Sequence, residues 1–197
     1  VKEIEKAKVK AKTSTYWSNW WKVYGLGEIG SLEGVCIPDW KYIDNIPYEA
    51  RLLCGGLDFG YSVDPSTIIL LYKWNDAYIF DEILYRKGMH NRDISRFLKD
   101  NNTTTHLWAD SAEPKSISEI RAYGHKISGV TKGRDSVIYG INLMNQNEIY
   151  ITSRSKNLIK ELQGYIWAKD KEGNNIQKPT GTHPDCIDAA RYALMMQ

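Results

Sequence analysis

The sequence predicts an α/β fold: a mixed sheet made of a three-strand antiparallel meander plus parallel strands, with helices on both faces. Two observations point to it. The segment Leu57-Asp58-Phe59-Gly60-Tyr61, a tight turn at Asp64-Pro65-Ser66 and the nearly unbroken apolar run from Thr67 to Lys73 read as a hairpin. A third strand, Ala77 to Tyr85, follows after Trp74-Asn75-Asp76, which completes the meander. Beyond it, short apolar runs alternate with segments of helical spacing, and parallel strands need such crossover helices.

Composition sets outer bounds. The chain has 197 residues, enough to bury the core of one domain. Its 42% hydrophobic and 25% charged residues are ordinary for a soluble globular protein. No apolar stretch is long enough for a membrane span, and no signal-peptide pattern is present. A net charge of +2 does not by itself argue for nucleic acid, so any basic surface has to be local. Cys36, Cys54 and Cys186 are an odd, widely spaced set without a C-x-x-C pair, which indicates reduced thiols in an intracellular setting. Val1 in place of an initiator Met is what a piece of a longer chain would show.

Taken in order, Val1 to Lys12 is a lysine-rich solvated terminus or a linker from an upstream domain. Tyr16 to Gly34 is rich first in aromatics and then in glycine. Its Gly25-x-Gly27-x-x-Gly30 has the spelling of a dinucleotide fingerprint but neither the preceding strand nor the following helix. Val35-Cys36-Ile37-Pro38 reads as a short strand. The expected division is 1–51 as linker or extension and 52–197 as the domain proper. Within the domain, Asn91 to Lys99 is a helix with Asn91 as N-cap, His106 to Ala109 a short strand, and Pro114 to Tyr123 a helix with proline in its first turn. Lys126 to Val130 is a strand, Ser136 to Met144 a helix, Ile149 to Ile151 a strand and Asn157 to Leu162 a helix. Tyr165 to Lys178 is a hairpin with its tip at Asp170 to Asn175, and a last helix runs from Asp185 to Met196.

Three carboxylates sit in apolar surroundings. Asp58 lies in the first strand of the hairpin, Asp110 closes the run His106-Leu107-Trp108-Ala109, and Asp188 lies within Ile187-Asp188-Ala189-Ala190. A carboxylate in such a place is costly unless it is paired or binds a metal. Hard divalent cations prefer oxygen ligands, and two of them side by side suit phosphodiester cleavage. The competing reading of Asp110, before Ser111 and Pro114, is a helix cap; that of Glu113 is a charge favoured at a helix start. On the last helix, Ile187, Ala190, Leu194 and either Arg191 or Ala193 are expected to form the inward stripe. Asp188 flanks that stripe, whereas Asp185 at the helix start has capping as its ordinary role.

The segments Leu57 to Tyr61 with Asp64-Pro65-Ser66, Trp108-Ala109-Asp110-Ser111-Ala112-Glu113-Pro114, and Ile187-Asp188-Ala189-Ala190-Arg191-Tyr192-Ala193 resemble the nuclease domain of the large terminase subunit of tailed bacteriophages. The resemblance covers the chain from about Leu52 onward, and Trp20 to Trp40 looks like that family's connection from its ATPase motor. It implies a ribonuclease H-like fold and Mg²⁺ or Mn²⁺, two ions, at Asp58, Asp110 and Asp188, with Asp185 as a further ligand. It also implies cleavage of concatemeric double-stranded viral DNA during genome packaging in the host cytoplasm. Expected partners are DNA, an ATPase motor domain, the small terminase subunit and the portal. The family often has a histidine three residues before the last aspartate; this chain has Asp185 there, as an extra outer ligand or in place of Asp188, and His183 is displaced by two. No G-x-x-x-x-G-K-[ST] phosphate loop occurs, so packaging ATPase activity is not expected of this chain.

Lys132, Arg134, Lys169, Lys171 and Lys178 are candidates for holding DNA phosphates, the alternative being solvated surface. Asp58-Phe59-Gly60 spells a kinase magnesium motif but lacks the accompanying loops. His183 beside Cys186 suggests a thiol nucleophile less than a buried, inert cysteine. The rival functions are another ribonuclease H-like enzyme of the resolvase or transposase kind, and a DNA-binding module with a degenerate site.

Overall fold

The computed structural model describes residues 34–181 and 183–197. The expectations for Val1 to Lys12 and for the aromatic and glycine-rich stretch before Gly34 lie outside the described residues.

The antiparallel meander forms: β2 (Arg51–Asp58), β3 (Ser66–Trp74) and β4 (Ala77–Arg86) are neighbours, but β2 ends at Asp58 and Ser66 already belongs to β3, so residues 59–65 replace the tight turn expected at Asp64-Pro65-Ser66. The β2–β3 turn is locked by the Ser66 hydroxyl, which donates to the Gly60 carbonyl at 2.7 Å and accepts the Gly60 amide at 3.3 Å. One strand was not expected. β1 (Lys41–Ile43) pairs parallel to β7 (Ile149–Thr152) at the sheet edge, so this sheet draws on residues N-terminal to the domain start expected at 52. β1 is three residues long with two of them exposed, too short to show an alternating pattern.

β5 (Leu107–Ala109) joins β2 in parallel and β6 (Ile127–Gly129) joins β5; on the other side β7 joins β4. The seven strands run in the order β1-β7-β4-β3-β2-β5-β6, a mixed sheet as predicted. Alternation assigns its two faces. Leu57, Ile68 and Leu107 bury against α1 (Asn91–Asp100) and α2 (Pro114–Ala122). Ile69, Leu71 and Phe80 face the opposite layer of α3 (Ser136–Asn145), α4 (Lys156–Gly164) and α5 (Asp185–Met195). The N-cap of α1 is His90 rather than Asn91, with the Asp93 carboxylate accepting the His90 amide at 3.1 Å.

β8 (Tyr165–Lys169) and β9 (Asn175–Gly181) form the expected hairpin, with Gly173 at positive φ in its tip. The Val35 segment pairs antiparallel with β8 through Ile166. The three cysteines are buried and unbridged. Among the described residues no helix is long and apolar enough to cross a membrane.

Candidate metal centre

The site grows out of the packing of α5 on β2. Residues 54, 56 and 58 point to the α5 side of the sheet. The Cys54 thiol meets the Ala193 carbonyl at 3.5 Å, and a Cβ on Gly56 would fall 1.7 Å from the Ala189 carbonyl oxygen. Two strand residues advance about 6.6 Å and four helical residues about 6 Å, so the next step of this register brings Asp58 to the turn of Asp185. Thr67, the β3 partner of Asp58, confirms the placement: its hydroxyl donates to the Asp185 carbonyl at 3.0 Å. Glycine at 56 is what lets a helix backbone lie on the strand.

The second carboxylate arrives through the parallel ladder. Leu57 pairs with Ala109, so Asp58 and Asp110 leave the ends of adjacent strands side by side. The Asp110 carboxylate is engaged at both oxygens. Oδ1 accepts the Ala112 amide at 2.8 Å within the turn, while the N-cap of α2 is Glu113, so Asp110 does not take the helix-capping role weighed for it. Oδ2 accepts the Lys132 ammonium at 2.6 Å and the Tyr192 hydroxyl at 3.3 Å. Burial pushes the Asp110 carboxyl up, but Lys132, the Ala112 amide and Tyr192 more than offset it and hold it below its ordinary value.

α5 supplies Asp185 and Asp188. It is not an amphipathic helix with one inward stripe: Asp185, Cys186, Ile187 and Ala189 to Leu194 are all buried, because sheet, α3 and α4 enclose it. Arg191 is buried and binds Asp188 Oδ1 through Nη2 at 2.6 Å and Nε at 3.2 Å, with Nη1 on the Ser136 carbonyl at 3.2 Å. Gly140 makes room for it, since a Cβ there would lie 2.8 Å from Arg191 Cδ.

Asp185 does not cap α5. The cap comes from α4: Glu161 Oε2 accepts the Cys186 and Ile187 amides at 2.8 and 3.0 Å. Burial pushes the Glu161 carboxyl up to about 8 despite those bonds. The buried Asp185 side chain instead meets His183 Nδ1 at 3.0 Å, and His183 lies 3.8 Å from Asp64. Ligand atoms of Asp64, His183 and Asp185 all lie within 4.8 Å of one another, the one such group of three among the described residues. Asp64 and His183 were not among the expected ligands. The signal for them was indirect: Asp64 lies in the Asp64-Pro65-Ser66 segment of the family resemblance, and His183 stands two residues from where the family often has a histidine.

Asp58 stands between these groups. Burial, then the charges of Asp188, Asp185 and Asp110, push its carboxyl up to about 8, against the opposing Lys132. It accepts no hydrogen bond from any described residue. A half-buried carboxyl surrounded by three more is an arrangement that a divalent cation stabilises and that no apolar or neutral partner does. The carboxylate oxygens match Mg²⁺ or Mn²⁺.

The expected DNA-contacting residues divide. Lys132 turns into the acidic cluster, while Arg134 stays exposed on the same loop. Lys169, Lys171 and Lys178 are exposed on the β8–β9 hairpin. The root of that hairpin lies near the cluster: burial and then the Asp188 charge push the Tyr165 phenol up. The Cys186 thiol is pushed up by burial, so it is inert as a nucleophile.

Residues 58–195 match the family model described as the terminase RNase H-like domain. The chain is 30% identical over 146 residues to the terminase large subunit of Bacillus phage SPP1, covering 71% of this chain and 35% of that protein. It is 30% identical over 143 residues to the PBSX phage terminase large subunit of Bacillus subtilis strain 168, covering 71% of this chain and 33% of that protein. The chain thus spans about a third of the curated relatives it matches. Among solved structures it resembles the nuclease domain of the SPP1 large terminase, g2p, solved with bound Mn. That match has a TM-score of 0.69 at 25% identity and covers 81% of this chain and 97% of the other. The chain belongs to the terminase RNase H-like domain family, with its ribonuclease H-like mixed sheet.

Proposed function

We propose that this chain is the metal-dependent endonuclease module of a terminase large subunit and cuts concatemeric double-stranded viral DNA during genome packaging. The observation that carries the reading is Asp58. It lies at the end of β2 with Asp110, Asp185 and Asp188 close enough to raise its pKa. Asp58, Asp110 and Asp188 would hold Mg²⁺ or Mn²⁺, with Asp185 as a further ligand and Asp64 and His183 beside it. Two such ions, when bound, supply an activated water as nucleophile and stabilise the leaving oxygen of a phosphodiester.

The protein's own part is placement. The β2–β5 ladder fixes Asp58 beside Asp110, and the Glu161 cap fixes the first turn of α5 with Asp185 and Asp188. Arg191 occupies one oxygen of Asp188 and orients the other. The acidic cluster repels the DNA backbone, so phosphates need cations at its rim. That role is assigned to Arg134, Lys169, Lys171 and Lys178, which are exposed, together with Lys132 once it is free of Asp110. No base-reading motif is present, so cutting is largely independent of sequence. In the full-length protein, the ATPase motor, the small subunit and the portal are the proposed partners, acting in the host cytoplasm.

The test is incubation of plasmid DNA with this chain and Mn²⁺, with and without EDTA. Cleavage that EDTA and Asp58→Asn both abolish is the expected result. Cleavage that survives either one refutes the reading, and DNA binding without any cleavage makes the chain a binding module instead. Linear duplex, RNA–DNA hybrid and four-way junction substrates compared side by side separate a packaging nuclease from a hybrid-cutting or resolving enzyme.

A further inference from the structure

The acidic cluster contains two cations of its own, and they differ in one respect that matters. Arg191, bound to Asp188, has a side chain only 3% exposed, packs where Gly140 makes room and holds the Ser136 carbonyl; it cannot leave without breaking the α3–α5 contact. Lys132, bound to Asp110, has a side chain 30% exposed and comes from the loop Thr131 to Asp135, every residue of which is exposed. A Cβ on the neighbouring Gly133 would meet nothing within 4 Å. The ion pair, hydrogen bond and ring contact of the Lys132 side chain all run through its ammonium group.

That ammonium is well held where it is. Nζ lies 2.6 Å from Asp110 Oδ2, donates to the Tyr192 hydroxyl at 3.0 Å and sits 4.6 Å from the centre of the Tyr192 ring. Tyr192 is itself buried and donates to the same Oδ2. With the Ala112 amide on Oδ1, both oxygens of Asp110 are taken. A metal ion approaching Asp110 therefore meets a positive charge already bound to the oxygen it needs.

We propose that Lys132 is a tethered, displaceable cation at Asp110, so that metal entry is an exchange in which the ammonium leaves Oδ2 and the loop lifts it to the rim. The inference rests on the reading of the cluster as a metal centre. Asp110 keeps a cationic partner throughout. The metal-free cluster is partly neutralised by Lys132, and the loaded cluster by the ion. The released ammonium then lies on the same exposed loop as Arg134, where the backbone of a nucleic acid passes. In the other direction, the tether lowers the apparent affinity for metal, because each binding event must first break the Lys132–Asp110 pair.

The test reads metal binding without DNA or cleavage. Mn²⁺ is titrated calorimetrically into this chain, into Lys132→Met, which keeps the apolar stem and loses the charge, and into Lys132→Arg, which keeps the charge. A solvent-accessible pair of this kind, its side chains 30% and 24% exposed, competes modestly, so Lys132→Met should bind Mn²⁺ about three- to tenfold more tightly than wild type. Lys132→Arg should bind no more tightly than wild type. The metal-free melting temperature of Lys132→Met should fall and the difference should vanish in saturating Mn²⁺. Equal or weaker Mn²⁺ binding by a folded Lys132→Met overturns the inference while leaving the metal-centre reading intact. A wild-type chain that binds no Mn²⁺ overturns both. Tighter binding by Lys132→Arg also overturns it, because the effect would then come from the loop and not from the charge.

Discussion

Gly56→Ala is the substitution that most directly joins packing to chemistry. The added Cβ would fall 1.7 Å from the Ala189 carbonyl oxygen, 2.6 Å from its carbonyl carbon and 3.2 Å from its Cα. All three are backbone atoms of α5, so no rotamer relieves the clash. Bringing the closest pair out to a tolerable 3.0 Å means opening the β2–α5 gap by about 1.3 Å, and overpacking of this kind costs roughly 1–3 kcal/mol. The displaced helix carries Asp185 and Asp188 away from Asp58, and misplacement of about 1 Å at a reacting centre costs on the order of 100-fold in rate. Gly55→Ala is the control. Its Cβ would meet the end of the Leu107 side chain at 2.7 Å, on the face away from α5, and a leucine terminus can turn. Urea denaturation and Mn²⁺-dependent plasmid cleavage measure the two effects separately. The expected outcome is that Gly56→Ala loses stability and nearly all activity, while Gly55→Ala loses less of both. A Gly56→Ala chain that melts and cuts like wild type would show that α5 does not set the distance between its aspartates and Asp58.

Asp58 and Glu161 are both raised to about 8 by burial first, so folding holds protons on them that the unfolded chain releases near pH 4. Their contribution to stability is therefore complete below about pH 4 and is lost as pH rises towards 8, with a slope of at most about 1.4 kcal/mol per pH unit for each group. Metal-free chain should thus melt several degrees lower at pH 8 than at pH 5, and Mn²⁺ should restore most of the loss at pH 8; equal melting temperatures without metal would contradict the burial of these carboxyls. Glu161→Ala removes the acceptor for the Cys186 and Ile187 amides and should cost about 1–2 kcal/mol in urea denaturation, whereas Glu161→Gln, which keeps an oxygen acceptor and cannot ionise, should cost less. Lys169→Ala, Lys171→Ala and Lys178→Ala together should weaken DNA binding and flatten its salt dependence by up to about three counterions; an unchanged slope excludes the hairpin from the DNA path.

The fold was legible where local pattern and tertiary role coincide. Each strand of the β2–β3–β4 meander is long, so its hydrophobic runs identify it even though β2 and β3 are joined by residues 59–65 and only β3 and β4 by a short turn. β1 was not legible, because its three residues depend entirely on pairing with β7, more than a hundred positions away. α5 was found as a helix, but its expected stripe was not, since an apolar stripe forms only where one side of a helix meets water. Here Arg191 is as deeply buried as the leucines, and its place is made by a glycine on another helix.

The site shows the same limit more sharply. Asp58 and Asp110 stand out in the sequence because each ends an apolar strand. Asp185 had two roles open to it in the sequence, a cap at the helix start and a further metal ligand, and its own segment does not choose between them. The structure gives that role to Glu161, which reaches the α5 terminus from α4. One cap can serve those two amides only once, so Glu161 frees Asp185 to turn towards His183 and Asp64. The consequence reaches Asp58, whose charge is opposed by Asp185 as well as by Asp188. Whether a carboxylate caps or faces a site depends on which other carboxylate reaches the helix end first. That competition is settled by tertiary packing, so Asp185 cannot be assigned from its own segment.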